Sequence, residues 1–148
     1  MILKEQRYIG MQQKDKYVLA IDPSGNWNEG KGVTGWCISN IVTRQPVITG
    51  KIEARACPSI ESYWHEHIVL IEVLFTKYSI EAVIIEDYLL YANKAATQTN
   101  SRFETSQLIG TLRYWCYEHK IKYVLQPASM VKNRWSNDIL LHKGYIIS

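Results

Sequence analysis

Two apolar runs of this chain end in acids. Tyr17-Val18-Leu19-Ala20-Ile21 leads into Asp22-Pro23-Ser24-Gly25, and Ala82-Val83-Ile84-Ile85 leads into Glu86-Asp87-Tyr88. Burying a carboxylate at the edge of a hydrophobic strand is costly unless something neutralises it, and a second acid nearby makes a divalent cation the natural neutraliser. The pattern therefore predicts a metal-dependent active site with Asp22 as one ligand and Glu86 or Asp87 as another. Strand chemistry leaves that pair open, because adjacent residues point to opposite faces. Asp22 has a plainer alternative as the opener of the Pro-Ser-Gly turn. Hard Mg²⁺ or Mn²⁺ suits acids on separate strands, and no His-Cys cluster of zinc type is present. The three cysteines, Cys37, Cys57 and Cys116, form no CxxC pair and read as small core residues of a protein from a reducing compartment.

The acids need a scaffold, and the hydrophobic periods supply one. Residues 1–16 are polar, contain a second methionine, Met11, and read as an N-terminal arm or extension. Three β-rich runs follow, about 17–22, 33–39 and 47–53, spaced closely enough for an antiparallel meander. Behind Pro58-Ser59 the period changes: Ile60, Trp64, Ile68, Ile71, Phe75 and Tyr78 form the stripe of an amphipathic helix. His65 and His67 read as surface or rim residues of that helix. A strand over about 80–86, apolar on both faces apart from Glu81, reads as a central strand covered by helices. Ser101-Arg102-Phe103-Glu104 has capping-box spacing, and Leu108, Ile109, Leu112 and Trp115 mark a second helix to about His119, with Gly110 a sign of close packing. A short strand at 122–125 and a basic segment from Pro127, read as a last helix, complete the order.

At 148 residues with 47% hydrophobic content the chain reads as one globular domain that buries a core rather than as a disordered chain. A net charge of +3 tolerates a polyanionic partner without requiring one. No apolar run approaches the roughly 20 residues needed to span a bilayer, and the N-terminus lacks a long apolar signal region. The expectation is a soluble, cytoplasmic protein.

Strand-helix order with an acid on the first strand and another at the end of the fourth resembles the ribonuclease H-like fold, a mixed five-stranded sheet flanked by helices. Three stretches, spread over most of residues 17–143, sharpen this to a resemblance to RuvC-type Holliday junction resolvases and their phage relatives. Ala20-Ile21-Asp22-Pro23-Ser24-Gly25 with Thr34-Gly35-Trp36 is similar to the family's first strand, turn and Thr-Gly pair. Ile85-Glu86-Asp87-Tyr88 with Asn93-Lys94 is similar to its Ile-Glu strand end and the Lys-Asn region beyond. Gln126-Pro127-Ala128-Ser129-Met130-Val131-Lys132 resembles its Pro-x-x-x-Val-Lys segment.

The resemblance implies a nuclease domain over residues 17–148 that resolves four-way junctions and other branched DNA by divalent-metal-dependent hydrolysis, acting as a homodimer in the cytoplasm, of the host if phage-encoded. It places Asp22 and Glu86, rather than Asp87, on metal-binding catalytic positions. Lys94, Arg102, Lys132 and Arg134 are then DNA contacts, with Lys143 adding charge, and Tyr88, Tyr91 and Trp135 are candidates for stacking on unpaired bases. The family completes its site with further acids on a final helix, and the chain departs from it there: Asp138 is the sole acid after Glu118, with His142 four residues on, so the last helix is expected to be missing. That departure keeps a second class of function in play, a non-catalytic module that binds branched DNA. A third, an actin-like nucleotide-binding domain, is suggested by the Asp-x-Ser-Gly turn and opposed by the lack of a second acid-Gly phosphate motif.

Overall fold

The structure, a computed structural model, describes residues 15–87 and 100–127, with the side chains of residues 100–102 left aside. Its elements are β1 (Tyr17–Asp22), β2 (Val33–Asn40), β3 (Pro46–Glu53), a short 3-10 turn (Ala54–Ala56), α1 (Ile60–Lys77), β4 (Ile80–Asp87), α2 (Asn100–Glu118) and β5 (Tyr123–Pro127). The five strands form one mixed sheet in the order β3-β2-β1-β4-β5. β1, β2 and β3 make the expected antiparallel meander. β4 then returns parallel to β1, and β5 parallel to β4, each reached through a helix, as parallel pairing requires.

Alternation on the strands selects the core face. Leu19 and Ile21 of β1, Ile38 of β2, and Val83 and Ile85 of β4 are at most 5% exposed. Against them pack Tyr63, Ile71 and Leu74 of α1 and Leu108, Ile109, Leu112, Trp115 and Cys116 of α2. The helices also meet each other, with the Phe75 and Trp115 rings 5.6 Å apart. Ser59 caps α1 by accepting from the Ser62 amide at 3.0 Å, while the Ser62 hydroxyl accepts from the Ser59 amide at 3.1 Å. No helix among the described residues is long and apolar enough to cross a membrane.

Several sequence expectations are corrected. The buried stripe of α1 is Tyr63, His67, Ile71 and Leu74, with Trp64, Ile68 and Phe75 packed at its margin. His67 is 1% exposed, not at a rim. The polar-capable side chains at the centre of the stripe disguised its axis. Both described helices lie on the Val83–Ile85 face of β4; Ala82 and Ile84 on the other face are half-buried, and the segment expected to form the last helix lies outside the described residues. Only Cys116 of the three cysteines is fully buried, which pushes its thiol up to about 11. Glu104 reaches out of its helix: its Oε2 accepts from the Trp27 and Asn28 amides, while the Ser101 side chain with which it shares capping-box spacing lies outside the described side chains.

Gly110, expected to mark close packing, lies on the outer side of α2, and among the described residues a Cβ there meets nothing within 4 Å. Gly25 is the glycine that close packing requires. A Cβ on it would overlap the α2 backbone at Glu104 and Thr105. Gly110→Ala should therefore stabilise the fold by about 0.5–1 kcal/mol through helix propensity, and Gly25→Ala should destabilise it. Thermal denaturation of the two variants checks both signs; a lower Tm for Gly110→Ala would show that the outer side of α2 is occupied.

Candidate metal centre

The β1–β4 register determines which acids meet. Ile21 pairs with Ile85, so the next residues along the two parallel strands, Asp22 and Glu86, stand side by side. Neighbouring strands are about 4.8 Å apart. Because Ile21 and Ile85 face the helices, Asp22 and Glu86 face the opposite side of the sheet, and Asp87 shares the parity of Ile85. Across the sheet Asp22 is opposite Gly35 and Glu86 is opposite Gln126. Gly35 contributes no side chain, and among the described residues a Cβ built on it would meet nothing within 4 Å, so none of them fills the space beside Asp22. Asp22 is exposed and Glu86 half-buried. Burial cost is thus not what calls for a cation at Asp22; juxtaposition of two carboxylates is.

The loop that follows Asp22 is held from three elements. The Ser24 amide donates to Thr34 Oγ1 of β2 at 3.1 Å, and the Tyr63 hydroxyl of α1 donates to the Ser24 carbonyl at 2.6 Å. The Gly25 amide donates to Thr105 Oγ1 of α2 at 3.0 Å, and Glu104 Oε2 accepts from the amides of Trp27 at 2.7 Å and Asn28 at 3.2 Å. The Trp27 indole donates to the Cys57 carbonyl at 2.9 Å.

Behind the loop, His67 Nδ1 lies 2.7 Å from the Tyr63 carbonyl and Nε2 lies 2.8 Å from Thr34 Oγ1. A carbonyl can only accept, so Nδ1 carries the proton, and in the neutral ring Nε2 accepts from the Thr34 hydroxyl. Thr34 and Tyr63 oxygens stand 3.2 Å apart. Burial holds the His67 imidazole below its ordinary value, against the smaller upward pulls of the Tyr63 carbonyl and Glu66. Burial likewise raises the Tyr63 phenol.

Of the site residues expected from sequence, the structure brings Asp22 and Glu86 together. Lys94, Lys132 and Arg134 lie outside the described residues, as do Lys143, Asp138, His142, Tyr88, Tyr91 and Trp135; Arg102 is in the first turn of α2, its side chain undescribed. Among the described residues no three His, Cys, Asp or Glu side chains cluster as metal ligands. Two carboxylates of hard oxygen type nevertheless fit Mg²⁺ or Mn²⁺, since Mg²⁺ is commonly held by one or two carboxylates together with substrate phosphates and water. Sequence reasoning missed the Thr34–Tyr63–His67 group and the Glu104 latch. Tyr63 and His67 are four residues apart and share a helix face, the one signal available.

No protein-family model matches the chain, and no curated protein matches it in sequence. Among solved structures the fold is similar to that of Thermus thermophilus RuvC in complex with Holliday junction substrate, with a TM-score of 0.61 at 16% identity over 84% of this chain and 72% of that one. It is also similar to a second Thermus thermophilus RuvC structure, with a TM-score of 0.52 at 16% identity over 78% of this chain and 66% of that one. The chain thus has the ribonuclease H-like α/β fold seen in RuvC.

The buried His67 gives this architecture a pH signature. Its folded value lies below that of the unfolded chain, about 6.5, so the unfolded state takes up the proton first as pH falls. The stability it contributes is fully present above about 6.5 and is lost as pH falls through the lowered folded value. Tm should drop on acidification across this window, and His67→Gln should flatten the drop. An equal drop in both proteins would assign it to other groups.

Proposed function

We propose that the chain is a divalent-metal-dependent, structure-selective DNA endonuclease of RuvC type, acting on four-way junctions and other branched DNA, with residues 17–148 as its nuclease domain. The observation that carries this reading is the placement of Asp22 beside Glu86, on one face and at adjacent strand ends, in a fold similar to that of a RuvC seen in complex with Holliday junction substrate. Asp22 and Glu86 would hold the metal. A Mg²⁺ or Mn²⁺ ion held there would activate water and offset charge on the scissile phosphate. The missing side chain of Gly35, against which none of the described residues packs, would admit the backbone of the substrate to the Asp22 side of the site.

Lys94, Arg102, Lys132 and Arg134 neutralise flanking phosphates in this reading, which makes binding weaken with added salt. Symmetric cutting of two strands calls for a homodimer with two such sites. The protein then works wherever branched DNA is met in the cytoplasm.

Incubation of a labelled four-way junction with Mg²⁺ or Mn²⁺ should give cleavage that is lost in Asp22→Asn and in Glu86→Gln, with junction binding retained. Asp87→Asn should still cut. Normal cleavage by both Asp22→Asn and Glu86→Gln would overturn the site, and a wild-type chain that binds junctions but leaves them uncut in either metal would make it a binding module instead.

A further inference from the structure

We propose that Thr34, Tyr63 and His67 are positioning residues for Asp22, a buried relay from β2 and α1 that fixes the main chain at Ser24 and thereby the direction of the Asp22 carboxylate. The inference rests on the metal-ligand reading of Asp22 and extends it to residues that touch neither metal nor DNA.

Asp22 is exposed, and among the described residues no hydrogen bond or ion pair holds its carboxylate. Its direction therefore follows from the backbone. On the strand side the ladder to Gly35 fixes it. On the loop side Pro23 has no amide hydrogen to offer, so the first residue that can be tethered through both main-chain groups is Ser24. Both are taken, the amide by Thr34 at 3.1 Å and the carbonyl by Tyr63 at 2.6 Å. Thr34 keeps its lone pairs turned to Ser24 because its hydroxyl donates to His67 Nε2 at 2.8 Å, and His67 is itself anchored by donating to the Tyr63 carbonyl.

Thr34 and Tyr63 are 0% exposed and His67 1%. Burying three polar side chains is unfavourable unless each is satisfied, and apolar residues of similar volume would fill the space without that requirement. What the polar set adds is a fixed point two residues from Asp22. Outer residues that orient a metal ligand typically change metal affinity or activity by about 10–100-fold.

Calorimetric titration of the metal-free full chain with Mn²⁺ tests the relay without reference to cleavage. Tyr63→Phe and Thr34→Val should weaken Mn²⁺ binding by about tenfold or more while leaving metal-free junction binding unchanged, and Thr34→Ser should restore it. Ile71→Val lowers stability through packing alone and should leave Mn²⁺ binding intact. Wild-type Mn²⁺ affinity in Tyr63→Phe and Thr34→Val, or an equal loss in Ile71→Val, overturns the relay. Asp22→Asn separates the two levels: if it weakens binding and the relay variants do not, only the relay falls; if it too binds as wild type, the ligand reading falls.

Discussion

Parallel pairing of β1 with β4 is the constraint on which the site depends. The pairing is specified on the helix side of the sheet, where Leu19, Ile21, Val83 and Ile85 must all turn inward to meet α1 and α2. A slip of one residue would turn a whole strand's apolar set toward the other face, so the core tolerates one register. That register leaves Asp22 beside Glu86 on the far side and sends Asp87 the other way. Which acid joins Asp22 is thus decided by where Ile85 is buried.

A second constraint acts just beyond the strand end. The chain must turn sharply after Asp22, and the turn is held by side chains from elements far apart in sequence: Thr34 from β2, Tyr63 from α1, Glu104 and Thr105 from α2. Gly25 lets the loop press onto the α2 backbone where any side chain would collide. The polar atoms so buried would be a liability if left unmet; here each of the Ser24, Gly25 and Trp27 amides has a side-chain acceptor. The loop joins α1 and α2 to the strand that carries the acid, so the helices support the site as well as the core.

Much of this was legible in the sequence. Apolar runs and breakers located all five strands and both described helices to within about two residues, a margin usual for element ends, and the positions of Asp22 and Glu86 followed from the strand ends. The choice of Glu86 over Asp87 needed the resemblance, because a strand's parity relative to the core is not visible until its partners are known. Less legible were features made by long-range contacts. The α1 stripe was read through Trp64 and Ile68, since Tyr63 and His67 look like surface residues until Thr34 and Ser24 are brought to them. Glu104 had the spacing of a helix cap and serves a loop 77 residues away. Close packing was read at Gly110 and is found at Gly25 for the same reason: a glycine's purpose depends on what lies against its missing side chain.

The central claim is that Asp22 and Glu86 share one divalent cation on the side of the sheet away from α1 and α2. Anomalous diffraction from crystals soaked in Mn²⁺ tests it most directly. The account predicts a peak at metal–oxygen distance, roughly 2.1 Å, from a carboxylate oxygen of each of Asp22 and Glu86, with Asp87 uncoordinated. A peak held by Asp87 and not Glu86, or a saturating soak with no metal at Asp22, would contradict it.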